Sequence, residues 1–594
     1  MGELDRRTPP RCQHWTEHIV TQRHRIHINL LDLLHSTENR KAPFGLPVFV
    51  REEHLSDTVQ VKLHAHLRAG ITFCYLKAEP KDGEICFAFS PGLASRRDVH
   101  LGTDFGMLWG TVEEQGNIAV WMPCAPQAVE YDATGRFREL QAPSVSLSFS
   151  EDGCPQLLMR SEVAENACLL LTCVVSRMPL KSLADEVASL AQCERRPLRK
   201  SAWFRADRPK DVFNYLINGS IYDPLCHWAI GKRFKCQQCA LAWWHYCSLQ
   251  QHNTGKRLYS VLQDEIAFSV LSELSNDGEW GHGNWSDDME THARFHLDGV
   301  QLLLNQFKRT GDDVWLSAAE KAMGFITLNL TDRMDDEMVW FEHDTIEHGL
   351  PQKFRSTILG KSAGNTLCLN THIQALIVLH HLSEAVSNGG RYEDLRQRGL
   401  RALRRVLELR PCSFGYRFMV GGVLGSKFDP ASQGLFTRAR KAACNWLLIP
   451  LYPRLRRILP RLFMPNGFLE RDLSFSQFSL GYHVITLKDL IMLFQNCPSD
   501  WMRPIIERAV GFGRGLCYEK ALAQDPLLIE WLDVLLLYSS VLGGDVSKEE
   551  MKEVEETLAR ETGGGSLDVG LLRAGLLRPQ PRRNASDGKS DEQP

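Results

Sequence analysis

Three times between residues 236 and 409, an apolar helical stretch runs into a tight glycine turn and a second, more amphipathic helical stretch. Cys236–Asn253, Thr254-Gly255-Lys256 and Leu258–Leu274 make the first copy. Thr291–Arg309, Thr310-Gly311-Asp312 and a helix reaching Ile326 make the second. Leu369–Val386, Asn388-Gly389-Gly390 and Tyr392–Leu409 make the third. Ser479–Gln495, Cys497-Pro498-Ser499 and Met502–Leu516 form a weaker fourth, and helical spacing continues over Pro526–Val541. Glycine after an apolar helix supplies a left-handed C-cap, and aspartate opens the next helix. Hairpins of this length cannot bury a face alone, so they must stack, as a linear solenoid or a closed toroid. First helices more apolar than second ones, as in VQLLLNQF against EKAMGF, favour closure.

Ahead of the hairpins, Pro47 to Val175 reads as β-structure. Val59, Val61, Leu63, Ala65 and Leu67 alternate with Gln60, Lys62, His64 and His66, the period of a half-buried strand. Ile71–Lys77 and Glu84–Ser90 flank the hairpin signal Asp82-Gly83, and Asn117–Met122, Ser144–Ser150 and Cys168–Val175 add strands. The expected fold class is therefore β plus α and multidomain: an N-terminal antiparallel β-domain, then a C-terminal (α/α) toroid of helical hairpins. The expected divisions are an N-terminal segment 1–45 read as helix, a β-domain 46–180, a linker 181–205, a toroid domain 206–560 and a disordered tail 561–594.

Charge and cysteine usage narrow the setting. Lys plus Arg number 69 against 72 Asp plus Glu, which argues against a nucleic-acid partner. The longest apolar run, around Ala167–Val175, is half of a membrane span. MGELDRRTPPRCQHW has no following apolar region, so no secretory signal is expected. Seventeen cysteines, odd in number and without a framework, fit reduced thiols. The expected place is the cytoplasm, or the inner face of the membrane.

The phrase LLNQFKRTGDDVWLSAAEKAMGFI resembles the hairpin of the (α/α) toroid superfamily, the six-hairpin glycosidases and related lyases and epimerases. NTHIQALIVLHHL over Asn370–Leu382 is similar to the THINQL-type helix in the C-terminal domain of glucuronyl C5-epimerases, which also place β-structure before the toroid. The resemblance covers roughly residues 205–545. It implies a carbohydrate-active enzyme of hydrolase, lyase or C5-epimerase type, and matches no family's complete catalytic set.

In a toroid, the loops entering the inner helices open on one end. Aligned on the turn glycines, His292 stands nineteen residues before Gly311 and His372 seventeen before Gly389, each within Thr-His. His483 lies similarly ahead of Pro498. The loop before the first Thr-His, NDGEWGHGNWSDDME, offers Trp280 and Trp285 to stack on sugar rings and Asp287, Asp288 and Glu290 as carboxylates. Helix capping accounts for one or two of those acids. A second loop, WFEHDTIEHGLPQKFR, packs Glu342, His343, Asp344, Glu347 and His348 together, followed by Lys353 and Arg355. Paired carboxylates suit glycoside hydrolysis, whereas a His or Tyr base with a nearby cation suits proton abstraction at C5 of a uronate. The expected catalytic set is Asp288, His292, Glu342, Asp344 and His372. Expected substrate contacts are Trp280, Trp285, Asp287, His343, Arg355, Asn370, Tyr416, Arg417, Tyr482 and His483.

No metal or cofactor is expected. His292-x-x-x-His296 and the set Cys226, His227, Cys236 and Cys239 read better as helix and core residues, since no second C-x-x-C follows. The expected partners are an oligo- or polysaccharide and, through residues 431–469, an anionic membrane surface. That stretch has seven cations, no acid, and Trp446, Tyr452, Phe463 and Met464 among them, broken by prolines 450, 453, 460 and 465. Two rival readings remain open: a non-catalytic scaffold in envelope polysaccharide assembly, and a toroidal isoprenoid cyclase prompted by DGEWG.

Overall fold

The computed structural model describes residues 25–29, 48–56, 59–66, 69–79, 84–90, 97–101, 107–113, 116–149, 155–160, 167–192, 196–197, 205–224, 231–285, 287, 289–346, 367–409, 435, 439, 442–443, 446, 466–469, 480–515, 527–562 and 567–576. It divides into two units, Met1–Ala191 with Lys210–Lys235, and Gln192–Pro209 with Cys236–Pro594.

The first unit is built on β1 (Arg25–Asn29), β2 (Val48–Ser56), β3 (Val59–His66), β4 (Ile71–Ala78), β5 (Glu84–Ser90), β6 (Arg97–Leu101), β7 (Met107–Glu113), β8 (Gly116–Met122), β9 (Gln127–Tyr131), β10 (Phe137–Glu139), β11 (Ser144–Phe149), β12 (Pro155–Arg160) and β13 (Cys168–Ser176). One sheet runs β2-β3-β4-β13-β8-β7-β6, with β9 bridging β13 to β10. A second runs β1-β5-β12-β11. Pairing is antiparallel except at β1–β5, which is parallel. Part of the N-terminal segment read as helix is thus strand β1. Its neighbours in 1–45 lie outside the described residues.

Strand β3 shows why the unit reaches beyond residue 191. Val59, Val61, Leu63 and Ala65 are buried as their alternation requires, but His64 and His66 on the other face are buried too. His64 meets Tyr75 edge-on at 5.2 Å and His66 meets Phe73 at 5.3 Å. Phe213 packs on Phe73 and, edge-on, on Trp121 at 5.2 Å. A Cβ on Gly219 would lie 2.8 Å from His64 Cε1. The second face is therefore covered by residues 210–235, which the sequence reading had assigned to the helical domain from 206. Within them Asn218-Gly219, both at positive φ, turn the short hairpin Leu216–Ile217/Ser220–Ile221. Buried Arg233 donates to the Asp223 carbonyl (2.8 Å) and pairs with Glu139, tying this return to β10. The presumed linker opens with α1 (Leu180–Leu190), which buries Leu183, Val187 and Leu190 and packs on β7 and β8.

The second unit carries the hairpins α2 (Gln237–Thr254) and α3 (Arg257–Ser272), α4 (Ala293–Thr310) and α5 (Asp313–Asn329), α6 (Leu369–Ala385) and α7 (Gly390–Leu407), and α8 (Leu480–Asn496) and α9 (Arg503–Gly515). After them come α10 (Leu527–Leu542), α11 (Lys548–Thr562) and α12 (Leu567–Arg573). Gly255 and Gly311 close α2 and α4 in the left-handed conformation, at φ 68 and 76. Helices α2, α4, α6, α8 and α10 pack each on the next, and α12 touches both α10 and α2.

Side-chain cross-links fix the direction of the first helices. Gln238 of α2 bonds Asp298 of α4 (3.1 Å), and His245 is joined to Asn305 (2.8 Å), each seven residues further on. Gln374 and His381 of α6 bond Asp298 and Gln301 of α4 in the same sense. Arg294 of α4 pairs with Asp489 of α8 (3.0 Å), while His381 reaches Asn496 (3.1 Å). These four helices run parallel, so their N-terminal ends share one end of the unit. Between α8, α10 and α12, buried Lys488 holds Glu530, Asp533 and Asp568 at 2.9, 2.8 and 2.7 Å. Burial pulls the Lys488 ammonium down, but Asp533, Asp568 and Glu530 together hold it well above the ordinary lysine value. Among the described residues, no helix is long and apolar enough to cross a membrane.

Candidate active site

The hairpin Thr331–Arg333/Val339–Phe341 delivers Glu342, His343 and Asp344 to the start of α4. Asp344 and His292 form a backbone bridge. Ala293 donates to the His343 carbonyl (2.9 Å) and Thr345 to that of Thr291 (3.1 Å). Side chains alternate along the strand, so Trp340 and Glu342 share a side opposite Phe341, and past a bend at His343 the Asp344 charge is near enough to act on Glu342. Asp332 pairs in register with Trp340 and joins the same side.

Glu342 is 7% exposed and Asp344 8%. Burial, and then the charges of Asp332 and Asp344, raise the Glu342 carboxyl from 4.5 to about 7. A carboxyl held there is about half protonated at neutral pH while standing beside other carboxyl groups. Asp332 was absent from the sequence expectation. Its only signal was its place opposite Trp340, which requires the pairing to be known.

His292 is buried, stacked on Phe295 at 4.2 Å and edge-on to His343 at 4.4 Å. Burial, then the neighbouring His343 and His282, push it well below the ordinary histidine value. Its Nδ1 has no partner among the described residues. The backbone N–H of His292 donates to His282 Nδ1 (3.1 Å), and His282 Nε2 meets Gln237 Oε1 at 2.7 Å. Since an amide oxygen only accepts, His282 is assigned the Nε2–H tautomer. His343 Nδ1 lies 2.9 Å from Thr371 Oγ1. Thr371, His282 and Gln237 were not foreseen either.

Several expectations are corrected. Trp280 is buried, donates to the Val270 carbonyl (3.0 Å) and packs on His296 at 4.7 Å, so its face is closed to a sugar. Glu290 shapes its own loop, accepting the Trp285 N–H. Asn370 is buried and accepts from Cys368 Sγ and the Thr371 N–H, both at 2.9 Å. His372 and His483 belong to another set. His296, His372 and His483 are each the fourth residue of a first helix. His296 reaches the Ala322 carbonyl (2.9 Å), His372 that of Gly399 (3.0 Å), and His483 faces the Ala509 backbone, in every case on the partner helix of the same hairpin. The loop N–H of Phe341 donates to His372 Nδ1 and that of Leu469 to His483 Nδ1, at 3.2 and 2.9 Å. Burial holds the three at about 4, 3 and 3. With both nitrogens of His372 taken by backbone groups, it has none left to move a substrate proton.

The equivalence drawn between His292 and His372 also fails. His292 precedes α4, whereas His372 lies inside α6. Trp285 and Tyr482 remain exposed, at 44% and 36%, and Asp287 is exposed as well. Asp288, Arg355, Tyr416 and Arg417 lie outside the described residues, as does most of 431–469.

No protein-family model matches this chain, and no curated protein matches it. Similar solved structures include a polysaccharide lyase, 10% identical with a TM-score of 0.29, over 89% of this chain and 84% of its own. Another is the family GH92 inverting mannosidase of Bacteroides thetaiotaomicron, 10% identical with a TM-score of 0.19, over 58% of this chain and 49% of its own.

Proposed function

We propose that the helical unit is a closed (α/α) toroid and that it processes a glycan by acid–base chemistry centred on Glu342. The observation that carries this reading is one carboxyl poised at about 7 beside Asp332 and Asp344. Glu342 donates its proton to a leaving glycosidic oxygen, and Asp344 as carboxylate faces the positive charge that develops at the sugar ring. Trp285 and Tyr482, exposed at the end where the first helices begin, offer flat apolar faces to pyranose rings. The substrate class is an envelope or capsule polysaccharide.

A second reading, abstraction of the C5 proton of a uronate, is supported by His292, held neutral with a buried Nδ1 that no described residue bonds. Defined oligosaccharides separate the two. Hydrolysis yields reducing ends, elimination an unsaturated product, and epimerisation deuterium at C5. Glu342→Gln is expected to abolish the first while the fold persists. Full turnover in that variant defeats the assignment. The exposed Leu435 and Trp446 favour placing the basic stretch 431–469 on an anionic bilayer. Arg454/Arg456/Arg457→Glu should weaken flotation with anionic liposomes, and unchanged flotation removes that placement.

A further inference from the structure

His372 is wholly buried and bound on three sides. Its Nδ1 accepts the Phe341 N–H, its Nε2–H donates to Gly399 of α7, and Trp340 lies against its ring at 3.9 Å, 6° from parallel. Gly399 lets α7 lie close on α6, since a Cβ there would stand 2.5 Å from Leu376 Cδ2. Trp340 and Phe341 are the two residues before Glu342, whose own N–H is fixed on the Leu330 carbonyl (2.9 Å). A like arrangement occurs at His483, which accepts the Leu469 N–H and stacks on Phe468, whereas His296 meets Trp280 at a tilt and takes no loop N–H on Nδ1. At His483 the clamped pair Phe468-Leu469 is likewise followed by a glutamate, Glu470, but at His372 the following acid is the one that stands beside Asp332 and Asp344.

We propose that His372 is the positioning residue of Glu342: by clamping Trp340 and Phe341 between α6 and α7, it holds the Glu342 carboxyl in its buried place beside Asp332 and Asp344. This rests on Glu342 being the proton-carrying carboxyl. Among the described residues, the charges that act on that place are Asp332 on the paired strand and Asp344 on the same segment. From α6 comes His372 itself, kept neutral by burial. From α7 comes Arg401, bonded to the Glu337 carbonyl (3.1 Å) at the far end of the hairpin. Without the clamp, the segment relaxes, water reaches the carboxyl, and its titration returns toward the ordinary glutamate range.

The test reads Glu342 directly, without a substrate. Infrared difference spectra of the full chain across pH show the protonated carboxyl band, and Glu342→Gln identifies which part of it is Glu342. In the wild type this component should titrate near 7. His372→Leu, with helical content intact, should move it down toward the ordinary range. His372→Asn, which keeps an acceptor for Phe341, should restore most of it. His483→Leu, which breaks the same clamp elsewhere, should leave it alone. Should His372→Leu not fold, His372→Gln, which reaches Gly399 and not Phe341, carries the same expectation. A Glu342 titration unmoved in folded His372→Leu or His372→Gln, or moved equally by His483→Leu, overturns the positioning role and leaves the acid reading standing. A wild-type component that titrates in the ordinary range overturns both.

Discussion

Replacing Glu342 by glutamine should stabilise this protein at alkaline pH and do little at acid pH. The carboxyl is held at about 7 against an ordinary value of 4.5, chiefly by burial and then by the charges of Asp332 and Asp344. Between those values the folded protein binds more protons than the unfolded chain. Stability from this group is therefore fully present below 4.5, falls as pH rises through the window, and levels off above about 7. At ~1.4 kcal/mol per pH unit, that window is worth roughly 3 kcal/mol. Glutamine has the shape of the protonated acid and never ionises. Urea unfolding of wild type and Glu342→Gln at a series of pH values reads that difference. The two should agree near 4.5, and the variant should gain up to about 3 kcal/mol by about pH 8. Parallel curves across the window would refute the argument, because they would mean that Glu342 ionises in the folded protein as it does in the unfolded chain.

Three further outcomes are expected. Lys488→Met leaves buried Glu530 and Asp533, and half-buried Asp568, without their cation and should cost about 3–5 kcal/mol in denaturant unfolding; a loss under about 1 kcal/mol would show that water already reaches Glu530 and Asp533. Gly389→Ala puts a methyl onto the Ser383 carbonyl and should lower stability by about 1–3 kcal/mol, whereas Gly511→Ala, with open space, should not. Trp285→Ala should weaken glycan binding by about 1 kcal/mol without changing the melting temperature, and equal binding would exclude it as a sugar platform.

The hairpins were legible because local rules decide them. Gly255 and Gly311 mark helix ends wherever the helices pack, and apolar spacing alone marks the helices. The site register was not legible, and one glycine shows why. Gly311 caps the end of α4 at φ 76, whereas Gly389, at φ −70, opens α7, and α6 has already ended at Val386. Equating the two glycines paired His292 with His372. Counting from the helix starts pairs His296 with His372 and His483 instead. The loop Trp340–Arg355 stands out by its density of acid–base groups, but neither density nor spacing separates the poised Glu342 from the clamped His372. That difference comes from burial and backbone partners. In the β-unit, Asn218-Gly219 was a readable hairpin signal. What it covers, the His64 face of β3, is a tertiary fact that no local pattern carries.

The route of the chain through its first unit has a consequence for how the protein is made. The sheet strands are complete in sequence by residue 176 and α1 by 190, yet the face bearing His64, Phe73 and Trp121 is covered only when 210–235 return to it. A ribosome adding about 5–20 residues per second delivers that cover roughly 2–9 s after residue 191. During that interval the nascent unit presents an aromatic face to whatever is nearby, a natural opening for a chaperone or a protease. A gene fragment ending at 191 would make the exposure permanent, and one ending at 235 would be the shortest from the N-terminus to close it.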